Sequence, residues 1–185
     1  MAIRVDAAFP VHPLTVADVA AMAEAGILEE NSHIELLDGV LVEMNPQGPP
    51  HAYALRELIT VAGPVVAVAG LRLSIQAPLD VSSPVSLPEP DFAIVPVTPI
   101  DRHPSGALLV VEMGSTSLAI DLGPKAKIYA HAGVPDYWVL DVKCRELVVH
   151  REPSGSRFED VRRVGADGTL TALAVALTVA VGDLV

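Results

Sequence analysis

Cysteine occurs once, at Cys144, so the chain can form no internal disulfide and no cysteine-built zinc site. That residue is expected to pack as a small apolar group. Aromatic residues make up 4% of the sequence, too few for the stacking platforms on which bases of single-stranded nucleic acid lie. Cations are scarce: 12 Lys and Arg stand against 23 Asp and Glu, a formal net charge of −11. A broad phosphate-neutralising surface is thereby excluded, and any polyanionic partner needs a local basic patch or a metal ion. No uninterrupted apolar stretch reaches the roughly 18 residues of a spanning helix, and the N-terminal "MAIRVDAAFPVHP" lacks the apolar run of a signal peptide. The expectation is a cytoplasmic protein with no membrane partner. Glycine-rich phosphate loops and the Gly-x-Ser-x-Gly elbow are missing, and "GVPDY" and "MGSTS" match neither phosphate-loop pattern. His33, His103, His131 and His150 show no metal-ligand spacing and read as structural or exposed.

What is present is apolar mass. Half of the 185 residues (51%) are hydrophobic, enough for one core. We expect a single domain over residues 1–185, with its core at about 14–153 and a strand-rich C-terminal extension at 154–185. From Thr15, "TVADVAAMAEAG" predicts a helix capped by Thr15 and Asp18 and ended at Gly26. "HIELLDGVLVEM" predicts a hairpin turning at Asp38 and Gly39. After the loop "NPQGPP", residues 51–70 predict a long helix interrupted or kinked near Gly63 and Pro64. "LRLSIQAPLDV" alternates like a strand, while "DFAIV" and "ALLVVEM" are continuous apolar runs of the kind covered on both faces. "LGPKAKIYAHAG" predicts a helix with Pro124 in its first turn and Gly133 as its stop. "DYWVLDV", "ELVVHRE" and "RFEDVRRV" then predict three strands, with Tyr137 and Trp138 in the core. The apolar tail "LTALAVALTVAVGDLV" either closes the sheet or builds a homodimer interface. The sum is an α/β (α+β) fold around a central mixed sheet.

Two carboxylates interrupt the apolar strands. Asp91 stands in "PEPDFAIV" and Glu112 in "LLVVEMGS", joined by a loop whose length suits neighbouring strands. Unpaired buried charge is costly, so such residues need a partner, an ion or a proton. Two converging carboxylates with water and a phosphate form a common Mg²⁺ site, and Mn²⁺ suits the same oxygens. Lys125 and Lys127, in "DLGPKAKIY", could stabilise charge on a phosphoryl oxygen or help activate water. Glu35 in "IELLDG" is a further acid in a strand-like run, a third ligand or an orienting residue.

The stretches "IELLDGVLVEM", "PEPDFAIV", "LLVVEMGSTS", "DLGPKAKIYAHAGVPDYWVLD" and "LVVHREP" together resemble the Uma (Uma-two) family, grouped with restriction endonucleases in the PD-(D/E)XK nuclease superfamily. The resemblance runs from about Leu14 to Pro153. It implies an αβββαβ nuclease core and Mg²⁺-dependent hydrolysis of phosphodiester bonds, with DNA as the expected substrate. It implies that Asp91 and Glu112 are the principal metal-binding and catalytic acids. The superfamily often carries its lysine two residues after that Glu, where this chain has Gly114. The resemblance instead matches Lys125, by its spacing before Tyr129, with Lys127 as the second choice. Glu35 matches the Glu of an "ELLDG"-like hairpin, and His51 a His that opens the long helix.

A different class of function competes with this one: a nuclease-like fold that no longer cuts and serves as a binding or assembly module. The acidic composition favours it, and the joint presence of Asp91, Glu112 and Lys125 argues against it. A glycosidase acid/base pair would need an aromatic sugar cleft, which the composition does not supply.

Overall fold

The computed structural model describes residues 12–29, 32–44, 46–114 and 116–185; the reading of "MAIRVDAAFPVHP" falls mostly, and that of Ser115 wholly, outside them. A short helix α1 (Val16–Glu24) opens the chain, with Thr15 and Asp18 forming the expected capping box. The hairpin β1 (Ile34–Leu37) and β2 (Val40–Glu43) follows, turning at Asp38 and Gly39, whose φ values of 48° and 80° are both positive. Consecutive positive φ values mark the tight turn that matches strand twist, which explains the Asp-Gly pair.

Helix α2 (Pro49–Val68) begins two residues before the expected start and runs unbroken through Gly63 and Pro64. Its buried Ala54, Leu55, Leu58, Ala62 and Val66 lie against the sheet, and this packing overrides the local cost of proline. Strand β3 (Arg72–Ile75) is shorter than the alternating pattern suggested. The chain leaves the sheet at Gln76, which takes a left-handed φ of 48° just before Pro78.

The central sheet continues with β4 (Phe92–Val95), β5 (Leu109–Gly114), β6 (Asp136–Asp141), β7 (Glu146–Ser154) and β8 (Arg157–Gly165) in the order β3-β4-β5-β6-β7-β8. Only β5 and β6 are parallel, and the remaining neighbours are antiparallel. All residues of β4, β5 and β6 are buried, as continuous apolar runs demand. Alternate residues serve two cores. Phe92, Ile94, Leu109, Val111, Met113, Trp138 and Leu140 face α2, whereas Ala93, Val95, Val110, Tyr137 and Val139 face the opposite layer. Glu112 shares the parity of Val110 and therefore faces that second layer.

That second layer differs from expectation in one respect. The helical segment starts at Leu118, with α3 (Leu118–Ile120), a π-helical turn at Asp121–Lys125 and α4 (Ala126–His131). Pro124 lies inside the wide turn rather than at a helix start. A proline removes an amide donor and crowds the preceding turn, and the π-helical register relieves both. Gly133, with φ 72°, ends the segment as expected.

The tail forms a separate hairpin, β9 (Thr169–Thr171) and β10 (Thr178–Ala180), and a last 3₁₀ turn (Val181–Leu184). Leu170, Leu177, Val179, Val181 and Leu184 join the core on the α2 face. Its apolar residues are thus largely spent inside the chain, which removes the argument for a dimer built on them. A buried ion pair ties this hairpin to the sheet: Arg151 donates to Asp136 and to the Thr171 carbonyl, while the Leu173 amide donates to Asp136. Cys144 is exposed in the β6–β7 turn, contrary to the expectation that it packs as an apolar group. The turn geometry decides this, because its backbone N–H donates to Asp141. No described helix is long and apolar enough to cross a membrane.

Candidate active site

Four elements converge on one cleft of about 440 Å³: the β1–β2 hairpin, the start of α2, the adjoining ends of β4 and β5, and the π-helical turn. β4 runs antiparallel to β5, so the residue that begins one lies near the end of the other. Asp91 precedes β4 and Glu112 lies near the end of β5, and the Asp91 amide approaches Glu112 Oε2 at 3.4 Å. The Met113 amide donates to Asp91 Oδ2 at 2.8 Å.

Lys125 enters from the π-helical turn and bridges two strands' acids. Its Nζ lies 3.0 Å from Glu35 Oε2 and 3.1 Å from Glu112 Oε1. All three residues are at most 4% exposed. Burial alone would push the lysine pKa down, but Glu112, Glu35 and Asp121 more than offset this and hold it above the ordinary lysine range. Lys125 is therefore a fixed positive charge at neutral pH. Glu112 shows the opposite strain: burial raises its pKa well above the carboxylate range, and Asp91, Asp121 and Glu35 push the same way against the opposing pull of Lys125.

His51 stands in the first turns of α2 with Nε2 3.2 Å from Asp91 Oδ1. The approach is close but misaligned, and Nε2 is a buried nitrogen without a hydrogen-bond partner. Desolvation lowers its pKa, but Asp91 and the Met113 backbone more than offset this, for a net upward shift.

The expected Asp91, Glu112, Lys125, Glu35 and His51 thus share one cleft. Lys127 does not; it is exposed and lines a separate depression with Asp38 and His131. Two positions along a helical segment turn a side chain to another face, which is why only one of the two lysines reaches the acids.

Sequence reasoning missed four participants. Tyr129 OH donates to Glu112 Oε1 at 2.9 Å, beside Lys125. Ser117 Oγ donates to Asp121 Oδ2 at 2.7 Å, and Asp121 is buried with its pKa raised to about 6, chiefly by desolvation. Glu89 lines the cleft, and its amide donates to Glu35 Oε2. A signal existed for the first three: Ser117, Asp121, Lys125 and Tyr129 recur every fourth residue, one face of a helix.

Among the described residues, no three His, Cys, Asp or Glu side chains are gathered into a ready-made metal cage. The donor chemistry nonetheless fits a divalent cation. Asp91 Oδ2 is held by the Met113 amide and Glu112 Oε1 by Lys125 and Tyr129, while Glu112 Oε2 has only the longer 3.4 Å approach of the Asp91 amide. Asp91 Oδ1 and His51 Nε2 stand 3.2 Å apart without a hydrogen bond between them, and Asp91, Glu112 and His51 all line the cleft. Among the described residues, Glu35, Asp91, Glu112 and Asp121 line one cleft in which Lys125 is the only lysine, leaving an excess of negative charge that a cation relieves.

A crystal structure from Anabaena variabilis, described as that of "a putative nuclease belonging to DUF820", shares this fold, with a TM-score of 0.72 at 16% identity over 93% of this chain and 97% of that one. No curated protein gives a significant match. The model of the Uma2 family, described as "Putative restriction endonuclease", matches residues 17–181, which include every residue of the cleft, and the chain belongs to that family.

Proposed function

We propose that the protein is a metal-dependent endonuclease that hydrolyses phosphodiester bonds of DNA in the cytoplasm. The family description supports nuclease activity in general. The observation that carries the finer reading is Lys125 held between Glu35 and Glu112 in the cleft that also contains Asp91.

Asp91 and Glu112 would hold Mg²⁺ or Mn²⁺, with His51 or Glu35 completing or orienting the set. Such an ion, when bound, polarises a phosphate oxygen and lowers the pKa of a bound water. The protein's own groups do the rest. Lys125, kept protonated by its two carboxylates, presents fixed positive charge to a phosphate whose charge grows as water attacks. This makes it a charge stabiliser and not a base. Tyr129 and Lys125 together pin Glu112 Oε1, which fixes the orientation of the carboxylate. Asp91 is oriented in the same way by the Met113 amide.

The test is incubation of plasmid and single-stranded DNA with the protein, in Mg²⁺, Mn²⁺ or chelator, beside Asp91→Ala and Glu112→Ala. Cleavage that needs metal and is abolished in both variants is the expected result. Absence of metal-dependent cleavage, or equal cleavage by the variants, overturns the reading.

A further inference from the structure

Strand β8 closes one side of the central sheet, and among the described residues no strand pairs with its outer edge. An open edge nine residues long is a template for another chain unless something blocks it. Its centre reads Glu159-Asp160-Val161-Arg162-Arg163: two acids, one apolar residue, two bases. Val161 is 53% exposed, so an apolar side chain stands open at the middle of this edge.

The order of these charges selects one partner. If a second copy of β8 lies antiparallel with its centre on Val161, Glu159 faces the second copy's Arg163 and Asp160 faces its Arg162. Val161 then meets Val161 on the symmetry axis. A slip of one residue keeps only one of the two charge pairs on each side of the axis, and in-register parallel pairing sets acid against acid and base against base. Opposite charges directly across a ladder attract and like charges repel, so the same five residues favour one register and disfavour its neighbours.

We propose that β8 is a homodimerisation edge, which joins two copies of the central sheet about a twofold axis at Val161. Within one chain these charges already make exposed pairs: Asp160 with Arg162, Glu159 with Arg157, and Arg163 with Glu146. Exposed pairs of this kind contribute little, and each carboxylate has further lone pairs for a second guanidinium. A second copy therefore adds charge contacts without having to break those present. The surface is distinct from the C-terminal hairpin, whose apolar residues are buried within the chain. The inference does not depend on whether the cleft cuts nucleic acid.

Two charge-altered variants test it: Glu159→Arg with Asp160→Arg, and Arg162→Glu with Arg163→Glu. Sedimentation equilibrium of the wild type should show a dimer that weakens at least about tenfold from low to high salt, as screened exposed charges require. Each variant alone should remain monomeric, and an equimolar mixture should form a heterodimer. A wild type that stays monomeric at all attainable concentrations overturns the proposal. So does unaided dimerisation of either variant, or failure of the mixture to associate while both variants keep the wild-type circular dichroism. Should a variant not fold, hydrogen exchange of the wild type decides: amide protection in β8 must rise with protein concentration, and protection independent of concentration overturns the proposal.

Discussion

Gly114 and Asp121 fit together because one of them has no side chain: a Cβ at position 114 would lie 2.8 Å from Asp121 Oδ2. Ser117 Oγ would be 2.9 Å away. In the nuclease superfamily that the sequence resembles, the lysine often takes this position, and here its space is filled by the Ser117–Asp121 pair. Gly114→Ala is expected to lower stability by about 1–3 kcal/mol through overpacking, measured by urea denaturation. Gly114→Lys combined with Lys125→Ala should recover no cleavage. Recovery would mean that the helix has no special claim on the lysine.

Lys125→Met leaves Glu35 and Glu112 buried without their cation. Removing one partner of a buried charge set costs about 3–5 kcal/mol, and this is the expected loss at pH 8. The loss should shrink as pH is lowered to 5, because burial favours the protonated form of Glu112, which has less need of the ammonium. Urea denaturation at the two pH values checks this, and a loss independent of pH would count against the ion-pair account.

Tyr129→Phe removes one hydrogen bond to Glu112 Oε1 and leaves the aromatic packing against Tyr137 in place. With Glu112 less firmly oriented, Mn²⁺ affinity measured by calorimetry should fall by roughly 10- to 100-fold. An unchanged affinity would assign Tyr129 to packing alone.

Asp121 titrates from a folded pKa of about 6, raised from 3.8 chiefly because burial penalises the charged form. An acid with a raised folded pKa binds its proton more tightly when folded. The fold is therefore spared this cost below pH 3.8 and bears it increasingly as pH climbs through 6. Asp121→Asn cannot titrate, so its stability relative to the wild type should improve by about 1–3 kcal/mol between pH 4 and pH 7. Equal differences at both pH values would show that the buried charge is not the cause.

Much of this was legible in the sequence because the local signals agreed with the fold. The Thr15–Asp18 cap, the Asp38–Gly39 turn and the continuous apolar runs of β4, β5 and β6 each formed as their residues dictated. Asp91 and Glu112 stood out because charge inside such runs demands a partner. Asp121 was hidden because its segment looked like the lead-in to a helix starting near Pro124, whereas the π-helical turn carries the helix back to Leu118. Pro64 misled in the opposite direction, since the contacts of Ala62 and Val66 keep α2 whole. His51 was assigned through the family likeness alone, as only the tertiary fold brings the start of α2 to Asp91.

The C-terminal turn also bears on how the protein is made. Val181 and Leu184 pack in the same core as α2, the helix that delivers His51 to the cleft. Residues 178–184 leave the ribosome after every element of the cleft, so a nascent chain that already carries Asp91, Glu112 and Lys125 still lacks part of the support for α2. Catalytic competence should consequently appear late in synthesis, once translation has supplied the floor on which the long helix rests.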